Sequence, residues 1–131
     1  MFILKECDLE KMRKNEKIGG FSYPEEFLYI IDLNLINFEI WSFFSYESAL
    51  SRMKGLKTRY PEGKVVPFAK RNDNDDIACF DIETREVFVI HDFSCDGYKN
   101  RKVYRDFQTW FKVCIDDMFE YIHEEIAYLK K

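Results

Sequence analysis

The sequence lacks the residue patterns that build zinc sites, disulfide frameworks and phosphate-binding loops. It has two histidines, His91 and His123, and its four cysteines form no C-x-x-C pair. Its five glycines are scattered rather than gathered in a Gly-rich loop. It contains no run of roughly 20 apolar residues, the length that crosses a bilayer. We therefore predict no metal site, no cofactor and no membrane association.

Two cysteines fall in apolar stretches, Cys79 in a predicted strand and Cys114 in a predicted helix. Thiols at such positions behave as small hydrophobic groups, so we expect both in the core. The N-terminus begins Met-Phe-Ile-Leu and turns at once to Lys5 and Glu6, without the cleavage site of a secretory signal. We therefore expect a cytoplasmic protein.

Aromatic rings and charges of both signs are abundant. The chain has 131 residues, of which 47% are hydrophobic, 18% aromatic and 34% charged. This length fits a single domain over residues 1–131, in which large rings fill one core. The formal net charge of -4 argues against general binding to nucleic-acid phosphates and favours a basic partner.

Residues 65–93 carry the clearest strand pattern. Three runs rich in β-branched and aromatic residues, 65–69, 77–82 and 87–93, are separated by two polar turns. The first of these two turns comprises residues 71–76, with the sequence RNDNDD, and is called the acidic turn below. The short spacing predicts an antiparallel meander, in which each strand pairs with the next.

Helices are predicted on both sides of this meander. Ser22 and Glu25 form a capping-box pattern that predicts a helix ending near residues 32–34. The aromatic-rich residues 35–44 predict one strand. Ser45 is expected to cap a second helix that continues to about Thr58.

After a polar loop predicted at residues 94–102, a long helix is predicted from Tyr104 to the C-terminus. Its apolar residues recur every three or four positions and form one stripe that is expected to cover the sheet: Phe107, Trp110, Phe111, Cys114, Met118, Ile122, Ile126 and Leu129. The fold class predicted is α+β, with a twisted, mostly antiparallel sheet, helices packed against it and a long C-terminal helix.

The opposite face of the long helix carries Asp116, Glu120 and Glu124, called the acidic row below. Like charges four residues apart repel each other. The acidic row is therefore either a solvated face or a contact surface for a basic partner, and the sequence leaves both open.

Two features of the sequence are compatible with a chemical function. The acidic turn offers several oxygen ligands for a hard cation, but its spacing does not fit an EF-hand loop. His91 followed by Asp92 resembles a base with its orienting carboxylate and defines a hydrolase alternative, but no nucleophile motif accompanies the pair.

Basic residues alternate with aromatic residues near the start of the long helix, as they do on protein surfaces that bind single-stranded nucleic acid. The residues are Tyr98, Arg101, Tyr104, Arg105, Trp110 and Phe111. Neighbouring acids oppose that use, and Trp110 and Phe111 fall on or beside the apolar stripe. We expect these two rings in the core and no direct nucleic-acid binding.

Three strings together resemble the SUKH superfamily, the group related to the fungal regulator of cell-wall synthesis. They are FSYPEEF, VPFAKRNDNDDIACFD followed by VFVIHDF, and YRDFQTWF. The resemblance covers about residues 21–119. It implies an α+β fold of the kind predicted above.

Bacterial members of that superfamily act mainly as cytosolic immunity proteins, which neutralise toxin domains by binding them. The resemblance thus implies a binding protein without catalytic residues, whose partner is a toxin domain such as a basic nuclease. The alternative is a regulatory or scaffold protein of the same fold that binds an endogenous partner. The candidate contact residues are Asp73, Asp75 and Asp76 of the acidic turn and Asp116, Glu120 and Glu124 of the acidic row.

Overall fold

The computed structural model describes residues 10–12, 17–18, 21–61, 63–91 and 100–130. Residues 10–12 are helical. The other elements, in chain order, are β1 (Lys17–Ile18), β2 (Phe21–Ser22), α1 (Glu25–Asp32), β3 (Asn37–Phe38), β4 (Trp41–Phe43), α2 (Tyr46–Arg59), β5 (Val65–Arg71), β6 (Asp76–Asp81), β7 (Val87–His91), β8 (Asn100–Tyr104) and α3 (Phe107–Leu129).

Strands β3 to β8 form one six-stranded sheet in which every strand pairs antiparallel with its neighbour along the chain. The predicted meander of β5, β6 and β7 is confirmed, with the acidic turn joining β5 to β6. Apolar runs separated by short polar turns favour this local pairing. The predicted third strand extended to residues 92–93, which lie outside the described residues.

Helices cover both faces of the sheet. On one face α1 and α3 pack over Phe68 and Phe80, whose rings stack with centroids 4.3 Å apart. Trp110 of α3 meets Phe68 edge-on at 4.9 Å. On the other face α2 packs over Ile77 and other apolar residues of β5 to β7. The α+β prediction is confirmed, with an antiparallel sheet, helices packed against it and a long C-terminal helix.

The helix starts follow local side-chain chemistry. Ser45 is the N-cap of α2, and its Oγ accepts the backbone N–H of Ser48 at 3.1 Å, which confirms the predicted cap. Asp106 caps α3 by accepting the backbone N–H of Thr109 at 2.8 Å. The long helix therefore begins at Phe107, not at Tyr104.

The predicted capping box at the first helix is wrong. The N-cap of α1 is Pro24, which makes no side-chain cap hydrogen bond. Ser22 lies two residues earlier and pairs with Lys17 in the β1–β2 hairpin, because its backbone is extended into that strand. The helix ends at Asp32, within the predicted range.

Residues 35–44 form a hairpin rather than one strand. Glu39 has φ 67, and this left-handed backbone reverses the chain between β3 and β4. The side chain of Asn37 supports the turn by accepting the Glu39 N–H at 3.2 Å. The many aromatic residues on both sides of Glu39 are compatible with one continuous strand, so the sequence pattern did not indicate the tight turn.

The predicted polar loop over residues 94–102 is wrong at its C-terminal end. Residues 100–102 belong to β8, which pairs with β7 as an edge strand. Backbone pairing needs no apolar side chains, and charged residues are common on edge strands. Residues 94–99 lie outside the described residues. Both Cys79 and Cys114 are buried, as expected.

Candidate functional site

The acidic turn is held by its own side chains. Arg71 Nε donates to Asp73 Oδ1 at 2.7 Å, and Asn74 Oδ1 accepts the backbone N–H of Asp76 at 2.7 Å. Asn72 Nδ2 donates to the backbone carbonyl of Glu39 at 2.6 Å, which ties the turn to the β3–β4 hairpin. The turn is thus fixed in shape, as Asn and Asp side chains favour.

The three aspartates predicted as contact residues on this turn have different surroundings. Asp73 is exposed and paired with Arg71, and Asp75 is exposed. Asp76 is only 8% exposed, and its Oδ1 lies 3.0 Å from His91 Nδ1. The structure therefore leaves Asp73 and Asp75 exposed, whereas Asp76 faces inward.

The contact between Asp76 and His91 bears on the hydrolase alternative. Asp76 opposes His91 in the β6–β7 register, so the pairing of the strands brings the two side chains together. An ionised carboxylate only accepts hydrogen bonds, so this contact places a proton on Nδ1 of the imidazole. The orienting carboxylate of His91 is thus Asp76, and the predicted partner Asp92 lies outside the described residues.

The acidic row lies on the surface of α3, and all three of its side chains are exposed. The structure joins this surface to the acidic turn through Asp117. Asp117 Oδ2 accepts the indole N–H of Trp41 at 3.1 Å and lies 3.8 Å from Arg71 Nη1. Since Arg71 also binds Asp73, one arginine bridges the turn and the helix.

Sequence reasoning missed Asp117. A usable signal exists, because Asp117 lies seven residues after Trp110 and therefore on the same side of the helix. A carboxylate at the border of an apolar stripe needs a hydrogen-bond partner. The buried indole of Trp41 supplies one.

A cleft of about 500 Å³ lies between the sheet and α3 beside this network. The residues that line it are Trp41, Arg71, Asn74, Asp76, Val89, Lys102, Tyr104, Trp110, Val113 and Asp117. Its charged lining residues are two cations, Arg71 and Lys102, and two carboxylates, Asp76 and Asp117. Among the described residues that line the cleft, none is a serine, threonine or cysteine that could act as a nucleophile beside the Asp76 carboxylate; Ser94 and Cys95 lie outside the described residues.

The charges of the network shift neighbouring pKa values. The hydrogen bond from Arg71 lowers the pKa of the Asp73 carboxyl and raises the pKa of Arg71. Burial raises the pKa of the Tyr104 phenol, and the negative charge of Asp117 raises it further. The same two causes raise the pKa of the Cys114 thiol, which keeps it protonated and unreactive at neutral pH.

The apolar stripe of α3 is covered only in its first half. Phe107, Trp110 and Cys114 are buried, but Ile126 is 44% exposed and Leu129 is 76% exposed. The helix has 23 residues and a length of about 35 Å. The sheet measures about 24 Å across its six strands and about 23 Å along its longest strand. The helix is longer than the sheet in either direction, so its end remains uncovered.

The basic and aromatic residues that resemble a platform for single-stranded nucleic acid do not lie on one surface. Trp110 is buried and Phe111 packs partly buried against the same core, as expected. Tyr98 and the side chain of Arg101 lie outside the described residues. Within the residues that the structure describes, no group of three or more His, Cys, Asp or Glu side chains could hold a metal ion. No helix in that part of the chain is long and apolar enough to cross a membrane.

No protein-family model matches this chain, and comparisons with curated proteins and with solved structures found no significant match. The resemblance to the SUKH superfamily stays a prediction.

Proposed function

We propose that this chain is a non-enzymatic binding protein of the immunity class, which neutralises a cognate bacterial toxin domain by direct contact. The resemblance to the SUKH superfamily supports the class of function. The surface of α3 supports the mode of action. The contact surface proposed here comprises the acidic row together with Phe119, Ile126 and Tyr128, and is called the α3 surface.

The observation that carries the proposal is the exposure of large apolar side chains beside the acidic row. Phe119 is 50% exposed, Ile126 is 44% exposed and Tyr128 is 71% exposed. Residues three or four apart are neighbours on a helix, so Phe119 adjoins Asp116 and Tyr128 adjoins Glu124. Exposed apolar groups with a polar rim are typical of protein interfaces.

Charge indicates the kind of partner. The three carboxylates of the acidic row repel one another on the free protein, and a cationic surface would relieve that repulsion. The acidic turn adds the exposed Asp73 and Asp75, and Arg71 connects that turn to Asp117, the neighbour of Asp116 in α3. A basic toxin domain, such as a nuclease with a cationic cleft, fits both features.

The expected mechanism is occlusion of that cationic cleft. The apolar side chains supply contact area, and the carboxylates take the positions that substrate phosphates would occupy. Electrostatic attraction mainly raises the association rate and falls with added salt. Association should therefore slow at high ionic strength, while dissociation changes less.

The test uses the purified protein and the toxin domain encoded beside its gene. An equimolar amount of the protein should abolish the toxin activity. The variant Glu120→Lys should lose inhibition, and Phe119→Ser should weaken it. The matched control is Glu125→Lys, an exposed position about 140° around the helix from Glu120 that has the same change of charge.

Full toxin activity in the presence of equimolar wild-type protein would contradict the immunity role. Equal loss of inhibition in Glu125→Lys would contradict the assignment of the α3 surface. Stable binding to an endogenous protein without toxin activity would favour the regulatory or scaffold alternative.

A further inference from the structure

A basic groove lies on the other face of the sheet, between α2 and strands β4 and β5. Its volume is about 600 Å³, within the range of roughly 300–1,000 Å³ typical of small-ligand pockets. It is lined by Ser42, Phe43, Phe44, Ser45, Ser48, Ser51, Arg52, Gly55, Arg59 and Lys70. Three cations and four serines are among the described residues that line the groove, and none of those described residues is acidic, although the whole chain carries a net charge of -4.

The groove follows from a second, polar stripe on α2. Ser48, Arg52, Gly55 and Arg59 are spaced by four, three and four residues, so they share one face of the helix. The apolar residues of α2, such as Leu56, form a different face that packs on the sheet. On the sheet, Ser42 and Lys70 oppose each other in the β4–β5 register and complete the far wall.

Two packing contacts position the guanidinium groups. The Arg52 guanidinium carbon lies 5.6 Å from the centre of the Phe44 ring, within the distance for a cation–π contact. A Cβ added at Gly55 would lie 3.0 Å from Arg59 Nη1. The missing side chain of Gly55 therefore makes room for the Arg59 guanidinium against the helix.

The serines add hydroxyl donors at the start of the helix. The Ser45 hydroxyl donates to Ser48 Oγ at 2.9 Å, so the Ser48 hydroxyl can donate its own proton to an acceptor in the groove. The first turn of α2 contributes the partial positive charge of a helix N-terminus. Phosphoryl oxygens accept hydrogen bonds from guanidinium, ammonium and hydroxyl groups, and the groove contains all three.

We propose that this groove binds the phosphoryl groups of a small anionic ligand of the diphosphate class. A diphosphate presents several oxyanions in a row, which matches cations on both walls. The site is separate from the α3 surface, because α2 and α3 cover opposite faces of the sheet. The inference does not depend on the proposed immunity function.

The experiment is calorimetric titration of the full chain with inorganic pyrophosphate, and in parallel with ADP, at fixed ionic strength. Saturable one-to-one binding of either compound is expected. Arg52→Gln and Lys70→Gln should each weaken it about tenfold, the effect of losing one charge-assisted hydrogen bond. Lys54→Gln is the matched control, since Lys54 is an exposed cation of the same helix outside the groove.

The Gly55→Ala variant distinguishes an effect on ligand binding from an effect on folding, because the two are expected to change in opposite directions. The added methyl should displace the Arg59 guanidinium, so binding should weaken while the folded state becomes more stable. Tighter binding of ADP than of pyrophosphate would identify a nucleotide as the preferred source of the diphosphate, and equal binding would identify recognition of the diphosphate alone.

Absence of saturable binding by the wild-type protein would overturn the proposal. So would equal weakening by Lys54→Gln, which would show attraction to overall charge rather than to the groove. Far-UV circular dichroism of each variant establishes that a loss of binding does not reflect unfolding.

Discussion

Gly55→Ala is the substitution with the most informative expected outcome. Gly55 lies in the interior of the 14-residue helix α2, where glycine is roughly 1 kcal/mol less favourable than alanine. The atoms nearest to the new Cβ are Arg59 Nη1 at 3.0 Å and Arg59 Nη2 at 3.2 Å. Because they are the end of a flexible, exposed side chain, they can move aside at little cost.

The net effect should be a stabilisation of about 0.5–1 kcal/mol. For a chain of 131 residues this raises the melting temperature by roughly 2–5 °C. Equilibrium unfolding in urea, followed by circular dichroism, measures the change in free energy directly. The m value should stay constant if the unfolded state is unaffected.

Lys54→Ala is the control for the general effect of alanine on this helix, and it should change stability by no more than about 0.5 kcal/mol. A Gly55→Ala variant that is less stable than the wild type would refute the reasoning. It would mean that the contact of the Arg59 guanidinium with the helix contributes more than the gain in helix propensity.

Three further predictions concern the other face of the sheet. Asp117→Ala should destabilise the fold by roughly 1–3 kcal/mol in urea unfolding, because the buried indole of Trp41 loses its acceptor; a change below about 0.5 kcal/mol would contradict this. Asp106→Ala should cost about 1 kcal/mol at neutral pH through loss of the α3 cap. The hydrogen bonds from Thr109 lower the pKa of Asp106 below its ordinary value of 3.8, so the stabilisation is complete above that pH and is lost as the pH falls through the lower folded-state pKa. Unfolding measured between pH 7 and pH 2 should therefore show the difference from the wild type shrinking in acid, and a constant difference would be inconsistent with a charged cap. Phe119→Ser should change stability by less than about 1 kcal/mol, since the ring is half exposed, whereas Trp110→Ala should cost about 3–5 kcal/mol; comparable losses in thermal unfolding would show that the end of α3 is packed in solution.

The sequence was sufficient where neighbouring residues decide the structure. The meander over β5, β6 and β7 could be predicted because short polar turns join strands that pair with their neighbours in the chain. The cap at Ser45 could be predicted for the same reason, since the hydroxyl binds a backbone N–H three residues away. Both features need only a few consecutive residues.

Local patterns misled where two structures were compatible with the same composition. The aromatic residues around Glu39 fitted one strand, and only the left-handed backbone of Glu39 shows the hairpin. The polar residues 100–102 looked like a loop, and their pairing with β7 makes them an edge strand. A strand at an edge is defined by its neighbour rather than by its own side chains.

The sequence by itself determined the order of most elements, the apolar stripes and the charges of the acidic row. Only the tertiary structure decided which of those charges are exposed and which are paired. Asp76 faces inward beside His91, and Asp117 meets Trp41 from 76 positions away. The tertiary structure also decided that the end of α3 stays uncovered. The apolar stripe continues along the whole helix, but the sheet beneath it is shorter than the helix. Exposure depends on distances between segments remote in the chain, which no local pattern encodes.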